Sequence, residues 1–169
     1  MAISRFIDDT RDSRHQLLSE EGKIYSVATG SQSIDASGYL ALEVTNPADS
    51  NKMIEVIRIE GGTLTTTTID ILRNAPLAVS GFSLSPLNRN WNCTDSSAMT
   101  VKYITQATDP TSGGDLLTSV IQTSGKISMT YDGEFVLPGT TSDNHFSLRI
   151  KNNTSEANTL SVSITWLEP

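Results

Sequence analysis

The sequence predicts an all-β protein, an antiparallel β-sandwich with an extended N-terminal arm. Three observations lead there. The last third alternates apolar and polar residues at period two, most cleanly in Phe146-Ser-Leu148-Arg-Ile150 and Leu160-Ser-Val162-Ser-Ile164-Thr-Trp166. That is the pattern of strands with one buried and one wet face. About eight or nine such runs recur at roughly ten-residue spacing, parted by Gly, Pro and Asn turns. No amphipathic helix of useful length interrupts them. Charged residues make up 18% of the chain, below the usual quarter. Ser, Thr and Asn fill the gap, and hydroxyl side chains suit strands and turns better than helix interiors.

The chain has 169 residues, enough for one domain with its own core. No linker is visible, so the division is an arm over residues 1–22 and a sandwich over residues 23–169. The strand count fits a jelly roll; an immunoglobulin-like sandwich uses fewer strands. No repeat at fixed period points to a propeller or β-helix.

Residues 1–22 differ from the rest. They mix Arg5, Asp8, Asp9, Arg11, Asp12, Arg14, Glu20 and Glu21 with two apolar groups, Ile3/Phe6/Ile7 and Leu17/Leu18. Ser13 with Gln16 three residues on suggests an N-capped helical turn over Ser13 to Ser19. Phe6 beside Ile7 suits an arm that docks on a neighbour; a frayed terminus is the alternative.

Strands are then expected in order. Lys23 to Thr29 is the first. In Tyr39 to Thr45, Leu40, Leu42 and Val44 face in, while Ala41, Glu43 and Thr45 face out. Residues 46–51 turn through Pro47, Asp49 and Asn51. In Met53 to Glu60 the apolar phase slips between Val56 and Ile57, which signals burial on both faces or a bulge. Gly61-Gly62 is expected to turn the chain into Leu64 to Leu72, whose four consecutive threonines favour strand. Arg73 to Asp95, broken by three prolines and glycines and four asparagines, reads as a loop or short strand pair laying Leu77, Val79, Phe82, Leu84, Leu87 and Trp91 on the sheet. Met99 to Gln106 resumes the strands. Residues 116–121 have apolar spacing that suits a helical turn, with a short strand as the alternative. Lys126 to Tyr131 and Glu134 to Leu137 are expected to form a hairpin around Gly133. Phe146 to Lys151 and Leu160 to Leu167 complete the set.

The charge of −7 disfavours a nucleic-acid backbone or an anionic membrane surface as partner. Cys93 is the single cysteine, so no intrachain disulfide forms. The start has no apolar signal core and no run reaches membrane-spanning length, so folding in a reducing cytoplasm is expected. Catalytic signatures are absent: there is no HExxH, CxxC, GxSxG, P-loop or GxGxxG. His145 falls on the polar face of its strand and reads as a surface residue. Asp109 and Asp115 flank a Gly-Gly turn but are too few for Ca²⁺. The sequons at Asn92 and Asn152 read as loop residues in the absence of a signal segment. The expectation is a non-enzymatic protein with no cofactor and no metal.

Two stretches carry a resemblance. The first is Gly38-Tyr-Leu-Ala-Leu-Glu-Val-Thr-Asn46-Pro47-Ala-Asp-Ser50-Asn-Lys52 and the strand after it. The second runs from Phe135-Val-Leu-Pro138-Gly139 through Phe146-Ser-Leu-Arg-Ile and Asn152-Asn-Thr154 to Trp166-Leu-Glu168. Together they cover about half the chain and resemble small jelly-roll virion proteins of tailed bacteriophages, the capsid decoration (cement) or head-associated proteins. The resemblance implies a homotrimer on the outer capsid surface, contacting the major capsid protein lattice through its arm after assembly in the host cytoplasm. Ile3, Arg5, Phe6, Ile7, Arg11 and Arg14 are then the expected contact residues. A receptor- or glycan-binding module of a fibre or tail is the alternative. It would want exposed aromatics, of which Trp91 and the tyrosines are the candidates.

Overall fold

The computed structural model describes residues 14–139 and 142–169. Two antiparallel sheets pack face to face. The strands are β1 (Ile24–Ala28), β2 (Gln32–Ile34), β3 (Tyr39–Asn46), β4 (Ile54–Thr63), β5 (Thr67–Arg73), β6 (Phe82–Leu84), β7 (Leu87–Asn88), β8 (Thr100–Gln106), β9 (Asp115–Gln122), β10 (Gly125–Leu137), β11 (Asn144–Asn152) and β12 (Asn158–Leu167). Sheet I has the order β10-β4-β12-β1-β7, with β2 also paired to β12. Sheet II has the order β6-β8-β3-β11-β5-β9. Among the described residues a single short helix, α1, covers residues 14–20.

Alternation explains which side chains meet between the sheets. Leu40, Leu42 and Val44 of β3, Ile69 and Ile71 of β5, and Phe146, Leu148 and Ile150 of β11 point in from sheet II. Ile54, Val56, Ile59, Ile127, Val162, Ile164 and Trp166 meet them from sheet I. Burying each such side chain contributes about 1.5–3 kcal/mol. Trp166 also stacks on Tyr25, with ring centroids 6.4 Å apart, and donates from Nε1 to Glu168 at 2.9 Å. Glu168 in turn accepts from Ala98 N, which ties down the end of the last strand.

The phase slip in β4 is a bulge. Thr165 pairs with Arg58 but Trp166 pairs with Val56, so Ile57 has no partner on β12. Its side chain turns outward and is buried with Leu18 and Leu167.

Several expectations are corrected. Gly61 and Gly62 do not turn the chain: they lie inside β4, and the turn falls at residues 64–66. Here glycine serves close approach, since a Cβ on Gly61 would stand 2.0 Å from the Ser161 carbonyl oxygen. Gly133 makes no hairpin either. β10 is continuous, and its register against β4 jumps between Thr130 and Phe135. The intervening residues bulge out opposite Ile57, with Gly133 at φ 73°, a left-handed conformation that glycine adopts without strain. Residues 116–121 form no helical turn. They belong to β9, which satisfies the hydrogen-bonding edge of β5, with a bulge at Leu117.

The largest correction concerns the outer face of sheet II. Ala41, Glu43 and Thr45 were expected to face water, yet all three are buried. Between β5 and β9 the chain crosses this face twice, through residues 74–81 and back through residues 107–114. The two crossings hydrogen-bond to one another, Ala78 N to Pro110 O at 2.8 Å and Ser112 N to Pro76 O at 2.9 Å. The first also ties to the sheet, where Ser147 Oγ donates to Ala75 O at 2.6 Å.

Candidate functional site

The base of the arm is fixed to sheet I. α1 lays Leu18 on Ile57 and Leu167, while Leu17 faces solvent. The helix ends at Gly22 with φ 68°, where Gly22 N donates to Ser19 O and Lys23 N to Leu18 O; glycine is the usual residue at such a stop. Two asparagines of the irregular segment satisfy further carbonyls here. Asn90 Nδ2 donates to Glu20 O at 2.9 Å and Asn88 Nδ2 to Gly22 O at 2.8 Å. At the other end of α1, Arg14 donates to Glu55 Oε2 at 3.1 Å. The Glu55 side chain is 8% exposed, and its Oε1 is buried without a hydrogen-bond partner among the described residues.

Of the expected contact residues, only Arg14 can be placed, and its guanidinium is directed onto its own sandwich. Ile3, Arg5, Phe6, Ile7 and Arg11, together with the Ser13 cap, lie outside the described residues.

His145 is not the solitary surface residue the sequence suggested. Its Nδ1 lies 2.8 Å from Glu43 Oε1 and 3.1 Å from Thr45 Oγ1. Thr45 donates to the same Glu43 oxygen at 2.7 Å, and Leu77 N donates to Glu43 Oε2 at 2.8 Å. The buried carboxylate therefore has all its partners within the protein. A cavity of about 430 Å³ opens beside His145, lined also by Arg73, Asn74, Glu134, Phe135 and Phe146. No Ser, Thr or Cys lines it among the described residues.

The other charged groups on this face also pair. Arg149 donates to Asp70 Oδ2 from Nε at 3.1 Å and from Nη2 at 2.8 Å, and from Nη1 to Asp109. Burial alone would lower the Arg149 pKa. Hydrogen bonding to Asp70 and the charges of Asp109 and Asp70 outweigh it, and the pKa is raised. Asp115 pairs instead with Arg73 at 2.6 Å, so the two aspartates around the Gly-Gly turn serve different arginines. No group of three or more His, Cys, Asp or Glu stands ready for a metal among the described residues. On the β10 bulge, burial and then the charge of Glu134 push the Tyr131 hydroxyl up to about 12.

Exposed apolar side chains gather on the two lateral sides of the sandwich. On one side the chain passes from β6 in sheet II to β7 in sheet I and presents Phe82, Leu87 and Trp91, the last 97% exposed. These three were expected to pack on the sheet. Phe82 meets Tyr103, with ring centroids 5.5 Å apart, and stays 65% exposed. On the other side β9 presents Leu116, Leu117, Val120 and Ile121, and β10 presents Val136. Sequence reasoning missed this second patch, because an apolar run reads as buried unless the strand order is known. No described helix is long and apolar enough to cross a membrane.

No family model matches the sequence, and no curated protein matches it. Among solved structures, the Yersinia pseudotuberculosis-derived mitogen is similar over 83% of this chain and 84% of its own, at 12% identity and a TM-score of 0.39.

Proposed function

We propose that this chain is a phage virion structural protein, a capsid decoration protein that binds the outer surface of the head and stabilises the shell. It is read as non-enzymatic, assembled in the host cytoplasm and carried on the virion, with the major capsid protein lattice as partner. The winding is read as a jelly roll. The order β1-β12-β4-β10 facing β3-β11-β5-β9 supports this, with β6, β7 and β8 as an excursion between β5 and β9.

The observation that carries the reading is the anchorage of α1. Leu18 and the Arg14–Glu55 pair hold the base of the arm on the outer face of sheet I, so residues 1–13, with Ile3, Phe6, Ile7, Arg5 and Arg11, start from a fixed point. Many weak contacts from many copies would add by multivalency. The test is deletion of residues 1–13 only, because a longer cut removes Leu18 from Ile57 and Leu167. The shortened chain is expected to stay folded by circular dichroism and to stop co-sedimenting with heads that lack the protein. Undiminished saturation of those heads would overturn the arm's role.

A second reading, a receptor- or glycan-binding module of a tail or fibre, draws on the exposed Trp91 ring. An open aromatic face is what a sugar ring stacks on. Binding on a glycan array that is lost in Trp91→Ala, together with co-sedimentation with tails, would favour it over the first.

A further inference from the structure

Glu55 Oε1 is a buried carboxylate oxygen with no hydrogen-bond partner among the described residues. Such an atom costs stability unless a donor meets it. The other oxygen of the same carboxylate accepts from Arg14 at 3.1 Å. Glu55 lies on β4 between Leu167 of β12 and Val136 of β10, and opposed residues of antiparallel strands share a face. Oε1 is on the β10 side, since a Cβ on Gly133 of the bulge would stand 3.9 Å from it. Arg14 is the first described residue, so the preceding chain leaves from this point.

The cavity of about 430 Å³ begins next door. β9 and β10 are joined by residues 123–124 but belong to different sheets, and the cavity lies between them at the end away from that turn. Leu117 of β9, Phe135 and Val136 of β10 and Phe146 of β11 give it apolar walls. Phe135 and Val136 are consecutive, so they point to opposite faces of β10. The cavity therefore reaches around the edge of β10 to the face that carries Glu55. Val136 joins the two features, because it opposes Glu55 in register and lines the cavity.

We propose that the chain's own N-terminal segment occupies this site: Arg11 donates to Glu55 Oε1, and Phe6 crosses the edge of β10 into the cavity. Arg11 stands three residues before Arg14 and so reaches the same carboxylate. Glu134, which also lines the cavity, adds negative charge along the path of that guanidinium. From Arg14 back to Phe6 the chain spans up to about 26 Å when extended, and neighbouring strands are only about 4.8 Å apart. Inside the cavity Phe6 meets Phe135 and Phe146, whose rings already pack edge to face with centroids 5.6 Å apart; a third ring extends such a cluster. The tether selects this occupant over the arm of a second copy, since a short flexible tether gives an effective concentration on the order of mM. The contact belongs to the chain off the shell. The shell-binding reading concerns the same residues on the head, and neither depends on the other.

The test is a disulfide within the full chain, in a Cys93→Ser background and without shells. The residue beyond Phe6 falls against β9, so Arg5→Cys with Leu117→Cys is expected to link within most chains under mild oxidation. Arg5→Cys with Trp91→Cys, on the opposite lateral side, is expected to stay largely unlinked, because a disulfide needs Cα atoms within about 7 Å. Adding Phe6→Asp or Arg11→Ala to the first pair is expected to slow its link several-fold, with unchanged circular dichroism. Equal rates for the two pairs overturn the proposal. So do links formed between chains, which put a second copy's arm in the site, and a first pair that links as fast with Phe6→Asp and with Arg11→Ala as without them. Because shells are absent from this assay, its failure and the failure of shell binding are read separately.

Discussion

The two sheets treat their outer faces differently. Sheet II roofs its face with two crossing segments and fills the space beneath with Glu43, His145, Asp70 and Arg149, all paired. Sheet I leaves most of its face to small hydroxyl residues and covers one end with α1, held by Leu18 and one ion pair. A polar residue at an outward strand position is thus ambiguous. It marks water over one sheet and a sealed polar layer over the other. The chemistry of the residues hints at the difference: sheet II alternates with Glu, Asp, Arg and His, sheet I largely with Ser and Thr.

The contrast can be tested by deletion of single anchors. The largest effect is expected beneath the roof. Arg149→Ala leaves Asp70, whose side chain is 12% exposed, without its guanidinium, and is expected to cost about 3–5 kcal/mol in urea unfolding. Asp70→Asn with Arg149→Met is expected to recover most of that. A loss under about 1 kcal/mol would mean that water reaches the pair. Leu18→Ala on sheet I is expected to cost about 2 kcal/mol, at the low end for a buried leucine because only one small cluster is touched. Hydrogen exchange should then rise in residues 14–22 and stay unchanged in β3 and β11. Arg14→Ala is expected to cost about 1 kcal/mol, since the guanidinium is half exposed although Glu55 is not. Trp91→Ala is expected to change stability by less than about 0.5 kcal/mol; a larger thermal shift would show that the ring packs on its own chain.

Much of the sandwich is legible from residue order. β3, β11 and β12 follow from alternation, and the break between Val56 and Ile57 signals a bulge or burial on both faces; the structure has both, since Ile57 has no partner on β12 and is buried on the outer face. The misreadings share one physical cause. Gly61, Gly133 and the leucines of β9 take their meaning from a neighbouring strand, which local pattern does not contain. Gly61 looks like a turn until Ser161 is placed against it. Leu116 to Ile121 looks like an apolar helical turn until β9 proves to be the end of a sheet. The same holds for the site. Alternation places His145 on an outward face, but its partner Glu43 lies 102 residues away in sequence, and only strand pairing brings the two together.

The position of β12 bears on how the chain reaches this state. β12 is last in sequence yet sits between β4 and β1 in sheet I. During synthesis β1 and β4 therefore have no common neighbour until residues 158–167 leave the ribosome. Until then β4 can pair only with β10 and β1 only with β7, and each half of the sheet keeps one edge open to other nascent chains. A chain that stops before β12 therefore lacks the strand that joins the two halves of the sheet.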